Sequence, residues 1–229
     1  MGATGFVGSK LLALLARSPK YQQIICVTRR SLDLDTALKN EAKTHRQKVH
    51  NIVVDFDQLE SHQDQMKADD VFCCLGTTIK VAGSQAAFKK VDYDYCLATA
   101  RVTLAQGAEH FLLITAIGAD TKSLAFYGRV KGELESSVTE LGFKNLSVFR
   151  PSLLVGERSE FRLGEAIGEK VMGIANLALK GPLAAYHTIS GEEVAGAMLG
   201  AALAAMDSPA RGKKVYTYQK MQQLIPQAS

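Results

Sequence analysis

Tyr127 and Lys131 stand four residues apart in the stretch Phe126-Tyr127-Gly128-Arg129-Val130-Lys131, which puts them on one face if the segment is helical. A phenol beside an ammonium can give and take a proton near neutral pH, because the positive charge favours the phenolate. The same spacing recurs at Tyr216 and Lys220, so spacing alone does not choose between the two pairs. Context does. Tyr127 comes shortly after the apolar run His110 to Thr115, within reach of the carboxyl edge of a sheet, whereas Tyr216 leads into a polar tail. Thr115 closes that run and could donate a hydrogen bond to a substrate oxygen. Packing at a strand end is the plainer alternative for it.

A second set of residues suits an anion. Gly2-Ala3-Thr4-Gly5-Phe6-Val7-Gly8 has the form G-x-x-G-x-x-G. Closely spaced glycines let backbone N–H groups approach a pyrophosphate, and the start of a following helix adds partial positive charge. The order of what comes next strengthens the motif: a helical stretch, then the apolar run Ile24 to Thr28, then Arg29 and Arg30. In dinucleotide-binding sheets the end of that strand meets the adenosine ribose, where an acid selects the 2′-hydroxyl of NAD and arginine accommodates the 2′-phosphate of NADP. Two arginines and no acid favour NADP over NAD. Asp55, closing the run from Asn51, is placed to meet the adenine edge. Leu75 and Gly76 end the run from Asp70, where a small residue lets backbone pass close to a ligand. A turn former is the alternative reading of each.

The elements that must position these groups alternate along the chain. Short β-branched runs (Ile24 to Thr28, Asn51 to Asp55, Asp70 to Leu75, His110 to Thr115, Leu146 to Phe149, Lys213 to Thr217) are separated by helical patterns at Val7 to Arg17, Ser84 to Ala105, Phe126 to Leu141, Gly164 to Lys180 and Gly191 to Ala204. That alternation predicts strands joined by helical crossovers, an α/β doubly wound and mostly parallel sheet. Asp35 to His50 is polar, a solvated helix or a loop. The chain from Gln219 has little to bury and is expected to fray.

Hydrophobic residues make up 47% and charged residues 22% of 229 positions, the balance of an ordinary globular chain. The net charge of +4 comes from 27 basic and 23 acidic residues in mixed order, so nucleic-acid binding is not indicated. No apolar run reaches the roughly 18 residues of a membrane span. Without a signal-peptide pattern, the expected compartment is the cytoplasm. Cys26, Cys73, Cys74 and Cys96 lack C-x-x-C spacing and read as buried free thiols. The histidines are unclustered, so no metal is expected. His187, in a loop, is read as structural or exposed.

The segments GATGFVG, VTRR, VFCCLGTT, VDYDY, FYGRVKGELE and FRPSLLVGERSEFR together resemble the short-chain dehydrogenase/reductase superfamily in its atypical branch, and within it the Tat-interacting protein family and its bacterial NAD(P)-binding oxidoreductase relatives. The resemblance runs from Gly2 to about Ala204. It implies a Rossmann-like fold, Tyr127 as proton donor or acceptor, Lys131 on the nicotinamide ribose, and Thr115 where the family has serine or threonine. It also implies Thr4, Gly5, Phe6 and Val7 at the pyrophosphate, within the turn framed by Gly2 and Gly8, and Arg29 and Arg30 at the 2′-phosphate. Leu75, Gly76, Leu154 and Arg162 would complete the cofactor groove, with Pro151 near the nicotinamide. Asp92 stands where many extended members carry asparagine, a departure from a full four-residue catalytic set.

The expected organisation is one NAD(P)-binding domain over residues 1–218, with a substrate-side segment at about 151–210 and a disordered tail at 219–229. In such a sheet the strand before the phosphate turn is central, yet only Met1 precedes this turn in this sequence, too little to form a strand. Either Met1 is an internal methionine of a longer reading frame, the favoured expectation, or the sheet closes the gap, for instance by pairing Ile24–Thr28 directly with the run from Asp70. The expected function is NADP-dependent hydride transfer to or from a small carbonyl or alcohol. The alternatives are an NADP(H)-binding regulator with a protein partner and no turnover, and a remnant without function.

Overall fold

The computed structural model describes residues 1–156, 187–208 and 211–226. β-branched and aromatic residues favour extended backbone, and the apolar runs form strands β1 (Ile24–Thr28), β2 (Val49–Val53), β3 (Asp70–Cys73), β4 (His110–Ile114), β5 (Asn145–Phe149) and β8 (Gly212–Tyr216), with the short pair β6 (Leu154–Val155) and β7 (Ile189–Ser190) between them. The strand order is β3-β4-β5-β8 in one sheet and β1-β2 in another, all pairings parallel. β4 is buried along four of its five residues, as a parallel strand covered on both faces must be.

The helices divide between the two faces. Helix α1 (Phe6–Arg17) presents Val7, Leu11, Leu12 and Leu15 to one face. There it packs against α8 (Gly191–Met206), over Leu112 and Phe149 of the sheet. On the other face α6 (Tyr95–Ala105) and α7 (Phe126–Glu140) cover Phe111 and Leu113. Residues 111, 112 and 113 thus alternate between the two cores, as strand geometry dictates. The doubly wound α/β arrangement expected from the sequence is present. The expected single helix from Ser84 to Ala105 is three pieces: α5 (Gln85–Lys89), a π turn (Lys90–Asp94) and α6. Asp35 to His50 holds two short helices, α2 (Leu34–Ala37) and α3 (Lys43–Arg46), and the turn after β3 continues into α4 (Ile79–Ala82). The helix expected at Gly164 to Lys180 lies outside the described residues.

The sheet does not close by pairing β1 with β3. A cavity of about 380 Å³ separates them, lined by Ile25 and Val27 on one side and Asp70 and Phe72 on the other. Segments outside the two sheets are bonded to β3 at both ends of this gap. At one end the Met1 amine donates to the Phe72 carbonyl at 3.0 Å, and the Cys74 N–H donates to the Met1 carbonyl at 3.1 Å. At the other end the Tyr21 hydroxyl donates to Asp70 Oδ2 at 2.6 Å, with the Tyr21 ring edge-on to Phe72.

The expectation of a frayed tail is corrected over its first part. Residues Tyr218–Leu224 form helix α9. Met221 is fully buried, Leu224 and Ile225 pack beside it, and Gln222 donates to Glu193 Oε1 at 2.6 Å. Glu193 belongs to a capping box with Ser190 at the start of α8. The glutamines suggested a solvated tail, but the apolar residues among them share one helical face.

Candidate functional site

The first turn is held by contacts that only glycine permits. Gly2 has φ 78°, and a Cβ there would stand 2.6 Å from the Cys74 carbonyl oxygen. A Cβ on Gly8 would stand 2.0 Å from the Gly2 carbonyl oxygen. The turn therefore lies directly against the carboxyl end of β3, closed by a 2.9 Å bond from the Gly5 N–H to the Gly2 carbonyl. Helix α1 begins after Gly5 with no side-chain cap. Its amino end, with the dipole's positive pole, faces the cleft beyond the strand ends. Backbone N–H groups at the start of an uncapped helix, on a turn locked by its glycines, fit a diphosphate.

That cleft has a volume of about 950 Å³, near the upper end for ligand pockets. Gly2, Thr4, Gly5, Phe6 and Val7 of the turn, Leu75 and Gly76 after β3, and Pro151 and Leu154 all line it. Arg29 lines it as well, its guanidinium 5.9 Å from the Phe56 ring centroid. The turn carrying Arg29 is pinned by Thr28 Oγ1, which donates to the Arg30 carbonyl at 2.6 Å and accepts from Asn51 at 2.8 Å.

Tyr127 and Lys131 reach the same cleft from α7. The Tyr127 ring is 5.4 Å from that of Phe88, and the Lys131 ammonium is 6.0 Å from the Tyr127 ring centroid. Lys131 is 4% exposed and Asp92 1%, with Lys131 Nζ 2.7 Å from Asp92 Oδ1. Burial opposes the charge on Lys131, but the Asp92 carboxylate, joined by Tyr127 and Cys96, outweighs it and holds the ammonium above its ordinary value. Thr115 lines the cleft wall while its hydroxyl donates to Glu135 Oε1 at 2.7 Å. Glu135 is also held by Arg150, through Nε at 2.9 Å and Nη2 at 2.6 Å. The Thr115 proton is thus engaged by a buried carboxylate, and a substrate oxygen would have to displace it.

Not every residue singled out from the sequence lines this cleft. Gly8 packs beneath the turn; Arg30 is exposed outside it; Asp55, also exposed, accepts from the Asp57 N–H and begins a 3₁₀ segment. Arg162 lies outside the described residues. Tyr216 stacks on Phe149 and Lys220 bonds the Val215 carbonyl, so that second tyrosine–lysine pair serves packing. The His187 ring stacks on Tyr218. Lys90 on the π turn also lines the cleft, paired to Asp57 at 2.7 Å. Nothing in its local pattern distinguished it from other lysines.

No family model matches this chain. Among curated proteins it is 38% identical over 174 residues to Protein HTATIP2 of Rattus norvegicus, covering 76% of this chain and 69% of that one. It is 32% identical over 176 residues to the mitochondrial Protein FMP52 of Candida albicans, covering 75% and 73% of the two chains. Among solved structures it is similar to the UDP-Glc/GlcNAc 4-epimerase from Campylobacter jejuni, with TM-score 0.67 and 14% identity over 97% of this chain and 80% of that one. It is also similar to MoeE5 in complex with UDP-glucose and NAD, with TM-score 0.65 and 15% identity over 93% and 73%. The fold is therefore the Rossmann-like one. The cytoplasmic compartment expected from the sequence is overturned: several of these relatives are named as mitochondrial proteins. An ordinary globular composition is common to both compartments and carries no address. No helix among the described residues is long and apolar enough to cross a membrane.

Proposed function

Because this chain belongs to the HTATIP2 and FMP52 family, an atypical branch of the short-chain dehydrogenases/reductases, we propose that it is an NADP-dependent oxidoreductase acting on a small carbonyl or alcohol. The observation that carries the reading is convergence on one cleft. The glycine turn and the start of α1, the Arg29 guanidinium, the Leu75–Gly76 backbone, and the Tyr127–Lys131 pair all line it. A nicotinamide bound there supplies or accepts the hydride. The residues do the remainder. Thr4 to Val7 hold the diphosphate with main-chain amides. Arg29, near the Phe56 ring, offers its fork to a 2′-phosphate, and the absence of an acid at the end of β1 supports NADP over NAD. Arg30 lies next to it and adds charge. Tyr127, whose hydroxyl makes no hydrogen bond among the described residues, gives or takes the proton at the substrate oxygen. Lys131 keeps a positive charge beside that ring and meets the ribose. Pro151 and Leu154 shape the wall on the nicotinamide side.

The test is NADPH oxidation against a panel of small carbonyls. Tyr127→Phe is expected to lower kcat by about 10²–10⁴-fold while NADPH binding, read by fluorescence, stays at the wild-type level. Binding by the wild type without turnover on any carbonyl would overturn the enzyme reading. One observation favours the second reading, an NADP(H)-binding regulator with a protein partner: the Thr115 hydroxyl is engaged by Glu135, and its neighbours Ala116 and Ile117 carry no side-chain donor.

A further inference from the structure

Asp92 sits on the π turn Lys90–Asp94 between α5 and α6 and is 1% exposed. A π turn gives up regular helical hydrogen bonding and is often found where a side chain must be re-aimed. Here the aim joins two elements. Asp92 Oδ2 accepts from the Thr77 N–H at 2.7 Å, in the turn that follows β3, and Oδ1 lies 2.7 Å from the Lys131 ammonium of α7. The second contact is a buried ion pair at hydrogen-bond distance. The titratable groups that face Lys131 are Asp92 from the π turn, Tyr127 from the preceding turn of α7, and Cys96 from α6, with Cys73 of β3 also within its field.

We propose that Asp92 is a positioning residue: the buried counter-ion that keeps Lys131 charged and ties it, with the Leu75–Thr78 turn, into one rigid wall of the cleft. The functional side of this rests on the nicotinamide reading above; the ion pair can be tested without any ligand. A buried ammonium that loses its partner sheds its proton more readily, because burial disfavours the charged form. A carboxylate at this position therefore does what a neutral amide could not.

In the wild type, Lys131 is held above its ordinary value, so its contribution to stability is fully present below about pH 10.4 and is lost only above it. In Asp92→Asn the folded-state value falls below that of the unfolded chain, so the unfolded chain binds the proton more tightly and stability rises with pH up to about 10.4. The difference in Tm between wild type and Asp92→Asn is therefore expected to be widest near pH 7 and to narrow towards pH 10. With Asp92→Asn/Lys131→Met, which has no ammonium, the difference should stay constant. NADPH affinity of Asp92→Asn should fall with rising pH over this range while that of the wild type does not follow it. A pH-independent Tm difference for Asp92→Asn would overturn the proposal. If Asp92→Asn fails to fold at pH 7 while the double variant folds, the pairing is supported; if both fail, an unpaired ammonium is not the cause and the proposal is overturned. A wild type that binds no NADPH would sink the nicotinamide reading and leave the melting comparison to decide the ion pair.

Discussion

Arg29 and Arg30 differ in placement although they are adjacent and chemically alike. Arg29 lines the cleft against Phe56, while Arg30 is exposed outside it. Arg29→Ala is expected to raise the Kd for NADPH by about 10–100-fold, the worth of a hydrogen bond to a charged group. The Kd for NADH should hardly change, and fluorescence titration with both nucleotides checks the ratio. Equal loss for both would mean that Arg29 does not meet a 2′-phosphate. Thr115 and Glu135 show the opposite lesson. The hydroxyl that spacing nominated for substrate is held by a carboxylate on α7, and Arg150 from the end of β5 fixes that carboxylate in turn. The thiols are likewise decided by surroundings: burial pushes the Cys74 thiol up to about 12, leaving it protonated and unreactive at neutral pH.

At the scale of elements, α9 shows how little sequence is needed to dock a helix. Met221 is fully buried, and Gln222 ties the helix to the capping box of α8. Met221→Ala removes core packing and is expected to cost about 2–5 kcal/mol, read as a lower urea midpoint with unchanged slope. A loss below about 0.5 kcal/mol would place the tail outside the cooperative unit. β1 and β4 were legible because each is a run of β-branched or apolar residues, and they fall where the sequence predicts them, whereas β2 begins two residues before the predicted run because Val49 and His50 pair with β1, and β6 and β7 are too short to leave a pattern. The helix from Ser84 was legible as helix but not as broken, since a π turn changes hydrogen bonding without changing composition.

At the scale of the molecule, the segment leading into β1 is bonded to β3 across the gap through Tyr21 and Asp70. Burial raises the Tyr21 phenol well above its ordinary value, and Asp70 adds to the rise. A group raised on folding stabilises below its unfolded value and loses that contribution as pH climbs through the folded one, so this tie begins to weaken above about pH 10. Tyr21→Phe is expected to lower Tm at pH 8, with the difference from wild type shrinking above pH 10. A difference that holds at pH 11 would show that the phenol proton does not matter to the joint.

The chain's own sequence determined the alternation of strands and helices, the glycine turn, the arginine pair and the tyrosine–lysine pair, because each is a local pattern of period, sterics or charge. Tertiary structure alone decided that Asp92 faces Lys131, that Glu135 takes the Thr115 proton, that Arg29 and not Arg30 lines the cleft, and that β1 and β3 stand apart. Those outcomes depend on which elements meet in space. Residues 92 and 131, or 115 and 135, are neighbours only once the crossovers have brought α7 against the π turn and the end of β4, a relation that no local window of sequence contains.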